Sequence, residues 1–197
     1  MPDTFFGNAG ATPQSWINPP EAAPSNEVQA LLERTREKLG YVRNGQRALL
    51  GRPELLLAQD ALSRAVNGTT GSDLSPKERE LIALVVSSEN RCEPCVLSHA
   101  AALRGITGDP FWVERVQVNF RHAELSEREL ALAVYALKIT RAPGSIEEAD
   151  LSRMRAAGLS EAEILDAAAV AAYFNFSNRL NSAIGVTPNP EAYAAHR

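Results

Sequence analysis

An all-α bundle preceded by an extended, proline-rich N-terminal arm is the fold this sequence predicts. Three observations carry that expectation. Valine, isoleucine and leucine recur at helical spacing, and no segment alternates convincingly as a strand does. Three segments open with the same helix-start signature, a serine followed three residues later by glutamate. Gly40 and Asn67-Gly68 close the first two periodic segments, and prolines crowd into the first 24 residues.

The elements follow in order. Residues 1–24 contain Pro2, Pro13, Pro19, Pro20 and Pro24 with little periodicity, which predicts an arm rather than helices. Residues 25–197 then form one helical domain. Ser25 or Asn26 caps a helix that runs to Leu39, with Val28, Leu31, Leu32, Thr35 and Leu39 on one side and Gly40 ending it. A second helix starts after Pro53, passes through Leu55, Leu56, Leu62 and Val66, and stops at Asn67-Gly68; residues 71–73 read as loop. Leu74-Ser75-Pro76-Lys77-Glu78, Leu125-Ser126-Glu127-Arg128-Glu129 and Leu159-Ser160-Glu161-Ala162-Glu163 are capping boxes. The leucine before each serine is the outer half of a hydrophobic staple, which Leu130 and Ile164 complete in the second and third cases, while Arg79 occupies that slot in the first. Ser145 with Glu148 reads as a fourth box. The stretch from Trp112 to Phe120 is the most strand-like, yet it fits a short helix capped by Asp109-Pro110 equally well.

Bulk properties narrow the function classes. The chain has 197 residues, 45% of them hydrophobic, enough for one substantial core. Its 20 basic and 24 acidic residues are interspersed and sum to a formal charge of −4, so no basic stripe recommends nucleic acid or an anionic membrane as partner. The start, Met-Pro-Asp-Thr-Phe-Phe, lacks a basic and an apolar leader region, and the longest apolar run, Ala167 to Phe174, is too short to span a bilayer. A cytoplasmic protein is the expectation. In a reducing compartment, two cysteines are more plausibly catalytic or metal-binding than a structural staple.

Both cysteines belong to one pattern, Glu80 followed by Cys92, Cys95 and His99, or E-x11-C-x2-C-x3-H. At about 100° per residue, Cys92, Cys95 and His99 fall at roughly 0°, 300° and 340° on a helix, so one face carries all three. Glu93 and Pro94 suit only a first turn, where the missing proline N–H costs nothing, which places the cysteine pair at a helix N-terminus. Unpaired N–H groups and the positive end of the helix dipole stabilise a thiolate there. Helical residues three apart have Cα atoms about 5 Å apart, within the range a disulfide tolerates. Glu80 lies in the preceding helix and faces the dithiol only if the two helices form a hairpin through Glu89-Asn90-Arg91. Three readings stand side by side: two small half-buried core residues; a zinc site using Cys92, Cys95, His99 and Glu80; and a redox dithiol. Against zinc, ligands usually come as two separated pairs, and the other histidines are only His122 and His196.

This spacing resembles the alkyl hydroperoxidase D group of the carboxymuconolactone decarboxylase superfamily, whose redox members carry E-x11-C-x2-C-x3-H. The runs Ser75-Pro76-Lys77-Glu78-Arg79-Glu80-Leu81-Ile82-Ala83-Leu84 and Tyr173-Phe174-Asn175-Phe176-Ser177-Asn178-Arg179-Leu180 look like its peroxidase-related branch. The resemblance covers roughly residues 25–190. It implies an AhpD-like helical bundle and a cofactor-free, metal-free thiol peroxidase acting on a small organic hydroperoxide. Cys95 would be the peroxidatic nucleophile, Cys92 the resolving cysteine, and Glu80 with His99 the proton relay. It also implies a thiol or lipoyl-type reductant and a homo-oligomer of two, three or six chains, with the arm wrapping a neighbour. The alternatives are a dithiol reductase of a peroxiredoxin-like partner and a zinc-binding or structural oligomer. The decarboxylase branch generally lacks the dithiol, which counts against decarboxylation. Family members often have a histidine directly before the second cysteine; here that position is Pro94. Among the other residues, Asn175, Asn178 and Arg179 are expected in caps, buried hydrogen bonds or subunit contacts. His122 is expected in solvent, and Phe111 and Trp112 in the core or a subunit contact.

Overall fold

A computed structural model describes residues 14–17, 19–20, 23–68, 70 and 73–197. The described residues form ten α-helices and no strand: α1 (Asn26–Leu39), α2 (Asn44–Arg47), α3 (Pro53–Asn67), α4 (Pro76–Glu89), α5 (Glu93–Thr107), α6 (Pro110–Asn119), α7 (Glu127–Arg141), α8 (Glu148–Ala156), α9 (Glu161–Ala183) and α10 (Pro190–Ala194). Residues 1–13, 18 and 21–22 of the expected arm and positions 71–72 of the expected loop lie outside the described residues.

The all-α expectation holds, and α4 explains how the bundle is organised. Leu81, Ile82, Ala83, Leu84, Val85 and Val86 are buried in succession, so apolar groups surround the whole helix instead of one stripe. Such a helix has to be central. It packs against α5, α6, α7 and α9, and its core continues into Leu103, Leu132, Met154 and Val170. A smaller cluster of Val28, Leu31, Leu49 and Leu56 packs α1 and α3 together and reaches Leu180 on α9.

Ser75, Ser126 and Ser160 cap α4, α7 and α9 as expected, each accepting from the N–H of the glutamate three residues on. The structure adds that these glutamates are also cross-linked. Arg128 of α7 donates to Glu78 Oε1 at 2.6 Å, to the Gly158 carbonyl at 3.0 Å and to Glu163 of α9, while Lys77 pairs with Glu129 at 2.6 Å. Three helix N-termini thus meet at one end of the bundle, where carboxylates complement the helix dipoles and cations complement the carboxylates. Arg79 is buried and bonds Asp166 at 2.6 Å and the carbonyls of Val66 and Leu74.

Local expectations divide. Leu159 and Ile164 are buried as their staple requires, whereas Leu130 is 41% exposed. The fourth box is corrected: Ser145 hydrogen-bonds the Ala142 carbonyl within a 3₁₀ turn, and α8 begins after Glu147, whose N–H donates to Asp150. The chain is extended at Ile146, so the Ser145 hydroxyl ends too far back to cap α8. Trp112 to Phe120 is helical through Asn119, because Asp109 accepts from the Trp112 N–H at 2.9 Å. Trp112 packs on the core and lies under Lys77, but Phe111 is 72% exposed and joins no core. His122 is exposed, as expected. Helices α2 and α10, four and five residues long, were not expected; elements this short leave no periodicity to read. Arg104 holds α10 against α5 by donating to the carbonyls of Ala192, Tyr193 and Ala195. The described part of the arm lies on its own chain, with Trp16 N–H on Ile184 O and Thr187 N–H on Gln14 O, both at 3.0 Å.

Candidate active site

The motif residues are brought together by a helical hairpin. After α4, Asn90 remains near-helical and Arg91 turns left-handed at φ 52°, which lets the Cys92 N–H return to the Ser87 carbonyl at 3.1 Å. Asn90 Nδ2 donates to Asn175 Oδ1 at 3.0 Å, anchoring the turn to α9. The expected hairpin through residues 89–91 is therefore present, and it sets Glu80 Oε2 against His99 Nδ1 at 2.8 Å. That hydrogen bond fixes the imidazole and leaves its other nitrogen for proton exchange. The edge of the ring also packs against Phe174, with centroids 4.4 Å apart and planes at 80°, and Phe174 is backed by Tyr173.

Cys92 and Cys95 are free thiols, both buried. Their placement refines the single-face reading. Cys95 and His99 are one turn apart on α5, but Cys92 is the N-cap with extended dihedrals (φ −82°, ψ 95°) and lies outside the helix. The pair therefore straddles the N-terminal boundary of α5. A hydrogen bond from the Cys95 thiol holds the Cys92 pKa down to about 7 against burial, with further help from the Cys95 N–H and Ser182; the nearby Glu93 charge opposes this. Cys95 moves the other way, raised by its bond to Cys92 and by burial, while Asn181 and the positive charge of Arg43 pull it back. Of the two sulfurs, Cys92 is thus the more readily deprotonated.

Sequence reading missed several neighbours of the dithiol. Phe174, Asn181 and Ser182 all come from α9, spaced seven and eight residues after Phe174, so they share a face. That spacing was legible, but nothing in it pointed to α5. Asn181 Nδ2 donates to Cys95 Sγ at 3.4 Å. Asn175 and Asn178 are buried and hydrogen-bonded as expected: Asn175 bonds Thr140 and the Ala171 carbonyl, and Asn178 accepts from Ser87. Among the described residues, no group of three or more His, Cys, Asp and Glu is arranged to hold a metal ion. No described helix is long and apolar enough to cross a membrane. An open groove of about 300 Å³ lies elsewhere, lined by Val85, Gln117, Val118, Leu137 and Arg141 among others, and it includes none of the four motif residues.

Comparison with known proteins agrees with this architecture. The family model for the carboxymuconolactone decarboxylase family matches residues 53–110, which contain α3 to α5 and the whole motif. A search of curated proteins finds no match. The crystal structure of an uncharacterized peroxidase-related protein from Silicibacter sp. TM1040 is similar with a TM-score of 0.89 and 38% identity, over 97% of this chain and 100% of that one. A second, described as an alkylhydroperoxidase AhpD core and peroxidase-related protein from Ralstonia eutropha JMP134, has a TM-score of 0.88 and 32% identity over 95% of this chain and 98% of that one. The apo debrominase Bmp8, at 19% identity and a TM-score of 0.74 over 86% of this chain and 89% of that one, shares the fold. Identity above 30% across nearly the full length of two such structures places the chain in the carboxymuconolactone decarboxylase family, within its AhpD-like, peroxidase-related group.

Proposed function

We propose that this protein is a thiol peroxidase that reduces a small organic hydroperoxide through Cys95 and Cys92, with Glu80 and His99 relaying the proton. The observation that carries this reading is a buried pair of free cysteines at the start of α5, one turn from the hydrogen-bonded Glu80–His99 pair. As Cys95 Sγ attacks the terminal peroxide oxygen, its proton passes to Cys92. The O–O bond breaks, Cys95 becomes the sulfenic acid, and the departing alkoxide takes a proton from the His99–Glu80 side to leave as alcohol. Cys92 then attacks the sulfenic sulfur, the disulfide forms, and water leaves. An external dithiol of the free-thiol or lipoyl class resets the pair.

Magnitudes say why the relay belongs in the reaction. Even an attacking thiol lowered from ~8.5 to ~7, where Cys95 is instead raised, would gain only about 15-fold in thiolate fraction at pH 7, and the loss of nucleophilicity would take back about fivefold. Thiolate formation alone is too small an effect, whereas acid–base catalysis at the leaving oxygen typically supplies ~10²–10⁴-fold. Burial of both sulfurs supports a small peroxide over a bulky protein disulfide. The same reading includes a cytoplasmic setting, where thiols stay reduced, and a homo-oligomer.

Titration with tert-butyl hydroperoxide, read by intact mass, tests the chemistry. Wild type is expected to lose two hydrogens, Cys92→Ser to accumulate oxyacids on Cys95, and Cys95→Ser to stop turnover. Thiols that survive excess peroxide in wild type would sink the proposal.

A further inference from the structure

We infer that Asn181 is built into the dithiol site as the hydrogen-bond donor that stabilises negative charge on Cys95 Sγ. The inference rests on the reading of Cys95 as nucleophile for its significance, but the geometry stands alone. Cys95 is 6% exposed, so its sulfur has little water to solvate an anion. Asn181 Nδ2 lies 3.4 Å from it. The amide is also backed from the other side: a Cβ at Gly45 of α2 would come within 3.2 Å of Asn181 Oδ1, so the glycine lets the short helix approach closely. Helix α2 is itself pinned to the segment after α9, with Asn44 N–H on Asn189 Oδ1 at 2.9 Å and Asn44 Nδ2 on Thr187 O at 3.1 Å. The donor is thus held between α9 and α2 and aimed at one sulfur.

The other charged or titratable groups around Cys95 are Cys92 at the N-cap, Arg43 just before α2, and the His99–Glu80 pair from α5 and α4, with Glu93 acting on Cys92. Arg43 acts on Cys95 through its charge and Cys92 takes a hydrogen bond from Cys95 until it receives the proton, whereas Asn181 donates to Sγ throughout. As the proton passes to Cys92, the Asn181 N–H remains as a fixed donor to the new thiolate. A hydrogen bond to a charged acceptor is worth enough to move a thiol by about one pH unit.

The test isolates Cys95 in a Cys92→Ser background and measures iodoacetamide alkylation as a function of pH, with circular dichroism reporting the fold. Adding Asn181→Leu is expected to raise the midpoint by about one pH unit, roughly a tenfold loss of thiolate below it. Asn181→Asp, the same size and so the safer variant for folding, is expected to raise it further by placing a carboxylate against the sulfur. An unshifted midpoint in Asn181→Asp overturns the inference. Because alkylation needs no peroxide, a shifted midpoint in a protein that fails to turn over hydroperoxide would sink the peroxidase reading and leave the role of Asn181 standing.

Discussion

Replacing Glu80 by Gln, or His99 by Gln, is expected to lower kcat/KM for tert-butyl hydroperoxide by about two orders of magnitude while both thiols remain countable. The expectation comes from the 2.8 Å contact between Glu80 Oε2 and His99 Nδ1. A carboxylate there keeps the proton on Nδ1 and turns the other ring nitrogen toward proton exchange. An amide could present either its oxygen or its NH2 group and would no longer fix that arrangement. General acid–base catalysis contributes ~10²–10⁴-fold, so loss of orientation alone should reach the lower end of that range. Stability should hardly move, because the side chains are 24% and 13% exposed and a partly solvated pair of this kind is worth about 1 kcal/mol or less. For a chain of this length that is roughly 2–4 °C in Tm. Full turnover in both variants would remove the relay from the mechanism.

The largest effect on stability is expected at Arg128, far from the dithiol. Its guanidinium bridges Glu78 and Glu163 and also reaches the Gly158 carbonyl. Arg128→Ala would leave two nearly buried carboxylates facing each other without their cation. Breaking such a buried arrangement typically costs about 3 kcal/mol, or about 10 °C in Tm at this size. The pH dependence identifies the cause. The Arg128 hydrogen bond holds the Glu163 carboxyl at about 2, below its ordinary 4.5, and lowers Glu78 as well. A depressed carboxyl stabilises the fold fully above its unfolded pKa and progressively less as pH falls toward its folded pKa. The gap between wild type and variant should therefore be widest near pH 7 and shrink between about 4.5 and 2. Denaturant unfolding at pH 7 and pH 3 checks this: an equal gap at both would assign the loss to packing instead of charge.

Most of the helices were legible because their start signals are local. Ser75, Ser126 and Ser160 act on N–H groups three residues away, so neighbours in sequence carry nearly all the information. The same logic failed at Ser145, because the chain is extended at Ile146 and Glu147 takes the N-cap position of α8 instead. Helix α2 could not be seen, since four residues show no period and its place depends on Asn189 and Thr187 at the far end of the chain.

For the candidate site, spacing along the chain was enough to single out two sulfurs, one carboxylate and one imidazole and to put the cysteines at a helix start. How those groups are tuned depends on packing. The Glu80–His99 contact needs the left-handed turn at Arg91, Phe174 needs α9 packed across the hairpin, and Asn181 and Ser182 reach Cys95 and Cys92 from 86 and 90 positions away. The physical reason is that a thiol's charge depends on what surrounds it in space, within a few ångströms, and helix packing brings those neighbours in from distant parts of the chain.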